Sequence, residues 1–194
     1  MSGSIHLALA PEVEAFRRQF DEIAAEAEAL VAPLTDAQLY WRPAPDAWSI
    51  AECLEHLNVT ARVYLPSLDA GIAEAVRRGC YGRGPYHYNP LGRLLVWAEA
   101  PPPRIRLRAP RPFVPVPRRP RHELMAAFKA YQVQYVDRLR QSNGVDLARA
   151  RVALPRLPWL RIPLGSGFAL TIAHERRHLW QARAVLSRAA AANV

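Results

Sequence analysis

Ala173-His174-Glu175-Arg176-Arg177-His178-Leu179-Trp180-Gln181 is the stretch on which the fold turns. On a helix, His174 and His178 stand one above the other, with Cβ atoms about 6 Å apart. Two imidazoles so placed can share one ion at metal–nitrogen distances of about 2.1 Å. The same letters spell H-E-x-x-H, the signature of zinc peptidases, whose Glu is a general base. Those enzymes usually take a third ligand from downstream. Between Leu179 and Val194 there is no His, Asp, Glu or Cys, and the Gly and His of the longer metzincin pattern are missing. The expectation is a third ligand from upstream, and a fold that is not a peptidase.

Working outward, Phe168, Ile172, Leu179, Ala182 and Leu186 fall on one arc of a helix predicted from about Ser166 to Ala190. Arg176, Arg177, Arg183 and Arg188 fall on the other side, and the two histidines lie at the margin between. Upstream, Ser49-Ile50-Ala51-Glu52 is a capping box and opens another helix, predicted to reach about Gly79 with a kink at Pro66. His56 sits two turns into it, close to the apolar side formed by Ile50, Leu54, Leu57, Ala61, Tyr64 and Leu68. That makes His56 the candidate third ligand. The other reading is a core histidine bonded to a carbonyl.

Val13, Phe16, Phe20, Ile23, Ala27, Leu30 and Leu34 mark a first long helix, closed near Pro33. Leu124, Phe128, Tyr131, Tyr135 and Leu139 mark a third, ended by Asn143-Gly144. Asn89-Pro90 predicts a short helix to about Glu99. The Pro/Arg-rich segment 101–120 is either an arm wrapping the bundle or a cover over a site. Leu154 to Pro163 is expected to be a loop. The fold class that follows is all-α: an antiparallel four-helix bundle, one domain over 1–194, with a long Pro/Arg-rich crossover between helices 2 and 3.

Composition narrows the function. No apolar run approaches the ~20 residues of a membrane span, no secretory signal is visible, and two cysteines predict no disulfide framework. A cytoplasmic protein without a membrane partner is expected. The net charge of +9 raises a nucleic-acid reading. Against it, Lys129 is the only lysine, and the dense cluster Arg104, Arg106, Arg108, Arg111, Arg118, Arg119 and Arg121 alternates with proline rather than with stacking aromatics.

Trp48-Ser49-Ile50-Ala51-Glu52-Cys53-Leu54-Glu55-His56-Leu57, together with 173–181, resembles the DinB/YfiT-like superfamily. The resemblance extends to helix order over most of the chain. It implies a four-helix bundle with a His triad, one on the second helix and a pair on the last, at positions filled here by His56, His174 and His178. It also implies one divalent metal ion, zinc or nickel with iron as a further option, and a homodimer. The activity it implies is that of a thiol-dependent transferase or isomerase, using a low-molecular-weight thiol such as bacillithiol or mycothiol and a small electrophilic substrate.

Three neutral imidazoles leave coordination positions open, as catalytic sites do. Glu175 is the candidate carboxylate base, with the alternative of pairing an interior Arg or Tyr. Gln181, three residues after His178, is a candidate to orient a ligand ring. Cys53 reads as a small buried hydrophobe, and His87 as a residue at a pocket mouth. The alternatives to an enzyme are a metal-binding bundle without turnover and, more distantly, an arginine-rich nucleic-acid binder.

Overall fold

The computed structural model describes residues 8–104, 109–116 and 118–194. His6, Arg106 and Arg108 lie outside these. Six helices follow in order: α1 (Pro11–Val31), α2 (Asp36–Tyr40), α3 (Ile50–Arg77), α4 (Pro90–Glu99), α5 (Arg121–Gln141) and α6 (Leu164–Ala191). A hairpin of β1 (Arg151–Leu154) and β2 (Leu157–Pro163) joins α5 to α6, and a 3-10 turn covers Arg111–Phe113.

The sequence signals explain most boundaries. Ser49 accepts from the Glu52 amide at 3.2 Å, while the Glu52 carboxylate accepts from the Ser49 amide at 3.0 Å. Both halves of a capping box are therefore made. Thr35 and Gln38 form a second box and start α2, a short helix in the link between α1 and α3. Asn89 caps α4 through the Gly92 amide. Gly144, at φ +89°, supplies the left-handed residue that turns the chain after α5. α3 remains helical through Pro66.

The long helices α1, α3, α5 and α6 form the bundle, and side-chain pairs give their directions. Phe20 stacks on Tyr135 at 4.9 Å, while Arg121 bonds the Val31 and Leu34 carbonyls, so α1 and α5 are antiparallel. His56 meets His174 and Leu68 faces Gly167, so α3 and α6 are antiparallel. Asn58 bonds the Leu124 carbonyl and Arg138 pairs with Asp69, so α3 and α5 run parallel. Phe16 meets Phe168 and Arg183 pairs with Glu26, so α1 and α6 also run parallel.

The parallel α3/α5 pair accounts for the long crossover, because the chain must travel back along the bundle before α5 can begin. α4 makes that return beside α6, with Gly92 against Ser166 at one end and Glu99 against His174 at the other. The core is apolar and continuous through all four long helices, with Phe20, Ile23, Leu54, Leu124, Phe128 and Phe168 fully or almost fully buried.

The expected loop from Leu154 to Pro163 is a correction. It is mostly strand, paired with Arg151–Leu154 in the register Val152↔Ile162 and Ala153↔Arg161. Val152 and Ile162 are buried and Val152 packs against Gly71 and Gly167, so docking on α3 and α6 holds the hairpin despite its prolines. Among the described residues no helix is long and apolar enough to cross a membrane.

Candidate metal centre

The structure brings His56, His174 and His178 together: one potential ligand atom from each lies within 4.8 Å of the others. His56 comes from the second turn of α3, and the pair from the middle of α6. His56 and His178 are buried, and His174 is partly exposed to the cavity.

Each ring has a different setting. The Nδ1 of His56 lies 2.6 Å from the Phe113 carbonyl. A carbonyl only accepts, so Nδ1 carries the proton and Nε2 presents a lone pair. The carbonyl-bonded reading of His56 thus holds at Nδ1, and Nε2 is left available for the ligand reading. The Nδ1 of His174 lies 3.3 Å from Glu99 Oε2, which orients that ring's Nε2 in the same way. The two Nε2 atoms face each other at 3.1 Å. A tetrahedral ion with metal–nitrogen bonds of about 2.1 Å sets its nitrogens about 3.4 Å apart. Facing lone pairs at nearly that spacing fit a shared cation. The Nδ1 of His178 is buried without a hydrogen-bond partner, a further unsatisfied nitrogen in the same cluster.

Burial and neighbouring charge favour the neutral form of two of the rings, His56 and His178. Burial, joined by the charge of His174, pushes His56 down to about 4, against the pull of the Phe113 carbonyl. Burial and the other two rings push His178 well below the ordinary histidine value; Gln181 is the group that pulls it back up. Neutral imidazole is the form that binds metal. Burial works against the Glu99 carboxylate, but the His174 hydrogen bond and the charges of His174 and Arg177 outweigh it and hold its pKa below the usual range. Trp48 covers two of the rings, with centroids 4.8 Å from His56 and 5.8 Å from His178.

The triad sits at the base of an open cavity of about 840 Å³. Trp48, Tyr64, Glu99, Arg156, Arg177 and Gln181 are among its walls. Prolines 102, 103 and 110 with Val114 line it too, so the Pro/Arg segment covers a site as well as wrapping the bundle. Arg119 anchors that segment to Glu55 at 3.1 Å, one residue before His56. Arg104 and Arg121, from the same basic cluster, bond main-chain carbonyls.

Other candidates lie elsewhere. Glu175 does not line the cavity. It is buried in the bundle interior, accepts from Gln132 at 2.9 Å, and burial raises its pKa to about 8. A protonated side chain shut away from the cavity cannot serve as its base, so that candidacy is withdrawn; its partner is a Gln rather than an Arg or Tyr. His87 is exposed and is not among the residues lining the cavity. Cys53 is fully buried, and burial pushes its thiol up. Glu99 and Phe113 escape sequence reasoning because both belong to the crossover, where no periodicity reports a facing partner. The one available signal is that Glu99 is the only acid between Glu74 and Glu123.

A parallel-and-antiparallel four-helix bundle with an open three-histidine site able to hold a metal ion is the class that fold and site define. The family model of the DinB superfamily matches residues 19–182, and the chain belongs to that superfamily. Among solved structures it is similar to YfiT from Bacillus subtilis, described as a probable metal-dependent hydrolase with an unusual four-helix bundle topology. The TM-score is 0.60 at 15% identity, over 94% of this chain and 91% of that one. Among curated protein sequences none matches this chain.

Proposed function

We propose that this protein is a divalent-metal-dependent enzyme of the thiol-dependent S-transferase type, joining a low-molecular-weight thiol to a small electrophile. One observation carries the reading: the Nε2 atoms of His56 and His174, fixed by Phe113 and Glu99, converge with His178 at the base of an open cavity. Zinc or nickel suits three neutral imidazoles. Such an ion, when bound, supplies Lewis acidity and lowers the pKa of a coordinated thiol or water. Three protein ligands and an adjoining cavity fit a working site better than a closed structural one, which takes four ligands and needs no cavity.

The chain's own residues favour a thiol over water as nucleophile. A free thiol ionises at about 8.5 and needs little help to lose its proton. Water needs more, and hydrolases commonly add a positioned base. Of the carboxylates lining the cavity, Glu99 is engaged by His174 and Arg177, and Asp46 is exposed on the link before α3. In the reaction, the thiol proton passes to solvent, sulfur forms a bond to the electrophilic carbon, and the leaving group departs with the electron pair of the broken bond. The second reading, a metal-dependent hydrolase, draws its support from the description of YfiT.

The test begins with protein purified without a His tag and loaded with zinc or nickel. Low-molecular-weight thiols are then screened against a chlorinated aromatic electrophile and against ester and amide substrates. Turnover that requires both metal and thiol supports the proposal. Hydrolysis without thiol transfers it to the second reading, and bound metal with neither activity leaves a binding bundle.

A further inference from the structure

We infer that Arg156, at the tip of the β1–β2 hairpin, is a recognition group for a carboxylate on the small molecule bound at the histidine site. The inference rests on the proposed metal and thiol reading only for how the other end of that molecule is held.

Position comes first. Pro155 and Arg156 connect Leu154 to Leu157, and the hairpin is fixed by the burial of Val152 and Ile162. Its tip projects to the cavity, where Arg156 is part of the wall together with Tyr64, Glu99 and Arg177. The Arg156 charge is felt at His56, Tyr64 and Glu99, so the guanidinium lies on the side of the cavity that holds the triad.

Charge comes next. Glu99 is the acid on that side, and it is already engaged by the His174 ring and by Arg177, each at 3.3 Å. Among the described residues, no carboxylate lies within ion-pair distance of Arg156. A bound divalent cation would place two further positive charges in the same cavity. Such a cavity focuses its field on anions and gathers them from solution. A single planar guanidinium matches a carboxylate through two parallel hydrogen bonds. Tyr64, half-buried in the lining of the same cavity, offers a hydroxyl donor. The hairpin, whose strands pack on the bundle, thus puts a cation on the wall of the cavity that the histidines line.

The experiment uses the zinc-loaded full chain and calorimetric binding of two thiols, 3-mercaptopropionate and the neutral 2-mercaptoethanol. Wild type is expected to prefer the carboxylate thiol by about tenfold or more, the scale of one charge-assisted pair. Arg156→Gln should bring that preference below about threefold, Arg156→Lys should keep part of it, and zinc content should not change. Preference retained in Arg156→Gln, or lost instead in Arg188→Gln, at another arginine of the cavity lining, overturns the inference. Should neither thiol bind wild type, the thiol reading is what has failed. Succinate against succinamide then tests Arg156 alone: selective succinate binding abolished by Arg156→Gln supports it, and no such selectivity overturns it.

Discussion

The Nε2 atoms of His56 and His174 point at each other across 3.1 Å, from helices that run in opposite directions. With its Nδ1 proton given to Phe113, the Nε2 of His56 presents a lone pair towards His174, whose opposite nitrogen faces Glu99. A cation between the two Nε2 atoms would be held by both rings. Elemental analysis of untagged protein should therefore give about one divalent ion per chain. His56→Ala, His174→Ala and His178→Ala should each remove most of it. A variant that keeps full occupancy takes its residue out of the ligand set.

Glu99 acts on the metal through the His174 ring. Glu99→Ala should weaken metal affinity by about 10–100-fold, the usual cost of losing such an outer partner. Competition with a chelator of known affinity measures it. Unchanged affinity would show that the 3.3 Å contact does not orient the ring.

The capping box at Ser49 fixes the first turns of α3, which bear Trp48 just before them and His56 within them. Ser49→Ala should cost about 1 kcal/mol of stability in urea unfolding. It should also loosen metal binding, because the Glu52 amide loses its Ser49 Oγ acceptor and the turn leading to His56 frays, although the Glu52 carboxylate keeps the Ser49 amide and Arg42. A stability loss without any change in metal affinity would separate the cap from the site.

Acid should destabilise the metal-free protein through the buried rings. The folded value of His56 is lowered to about 4, against about 6.5 when unfolded. Between these values the unfolded chain binds the extra proton, so stability present above pH 6.5 is lost as pH falls towards 4. The loss is on the order of 3 kcal/mol for this ring. His56→Asn, which keeps an N–H for Phe113, should flatten the Tm profile of chelator-treated protein over that window. An equally steep profile in the variant would assign the slope to other groups.

Glu175 works in the opposite sense. Its folded value is raised to about 8, so the native state keeps a proton that the unfolded chain gives up above about 4.5. Stability should fall as pH rises from 4.5 to 8. Glu175→Gln removes that dependence and preserves an amide partner for Gln132. The variant should match wild type near pH 4.5 and exceed it by a few kcal/mol, on the order of the shift, at pH 8. Metal-free protein is the sample to use, since Glu175 neighbours His174 in sequence.

Local chemistry written in the sequence was legible. Ser49 with Glu52 and Asn89 before Pro90 start helices through their side chains, and Gly144 turns the chain after α5 because it lacks one. The three histidines were legible because helical spacing paired two and the missing downstream ligand pointed to the third. The hairpin was not, because Pro155, Pro158 and Pro163 interrupt any alternation, and Val152 is held by docking on Gly71 and Gly167, which the spacing of the strand does not reveal. Nor could spacing place Glu99 or Phe113, whose positions depend on the path the crossover takes to return along two parallel helices. Glu175 was misjudged for a related reason: a helical wheel shows that it faces inward, but not whether the space it faces is cavity or core.

Trp48 lies against both His56 and His178, and this contact gives the protein an optical gauge of its own site. An indole so close to imidazoles transfers its excitation readily to an open-shell ion, and its emission responds to the charge of the rings it touches. Nickel loading should therefore dim that tryptophan more than zinc loading does, and Trp48→Phe should abolish the difference. Occupancy of the centre could then be followed in real time, without a substrate and without a label.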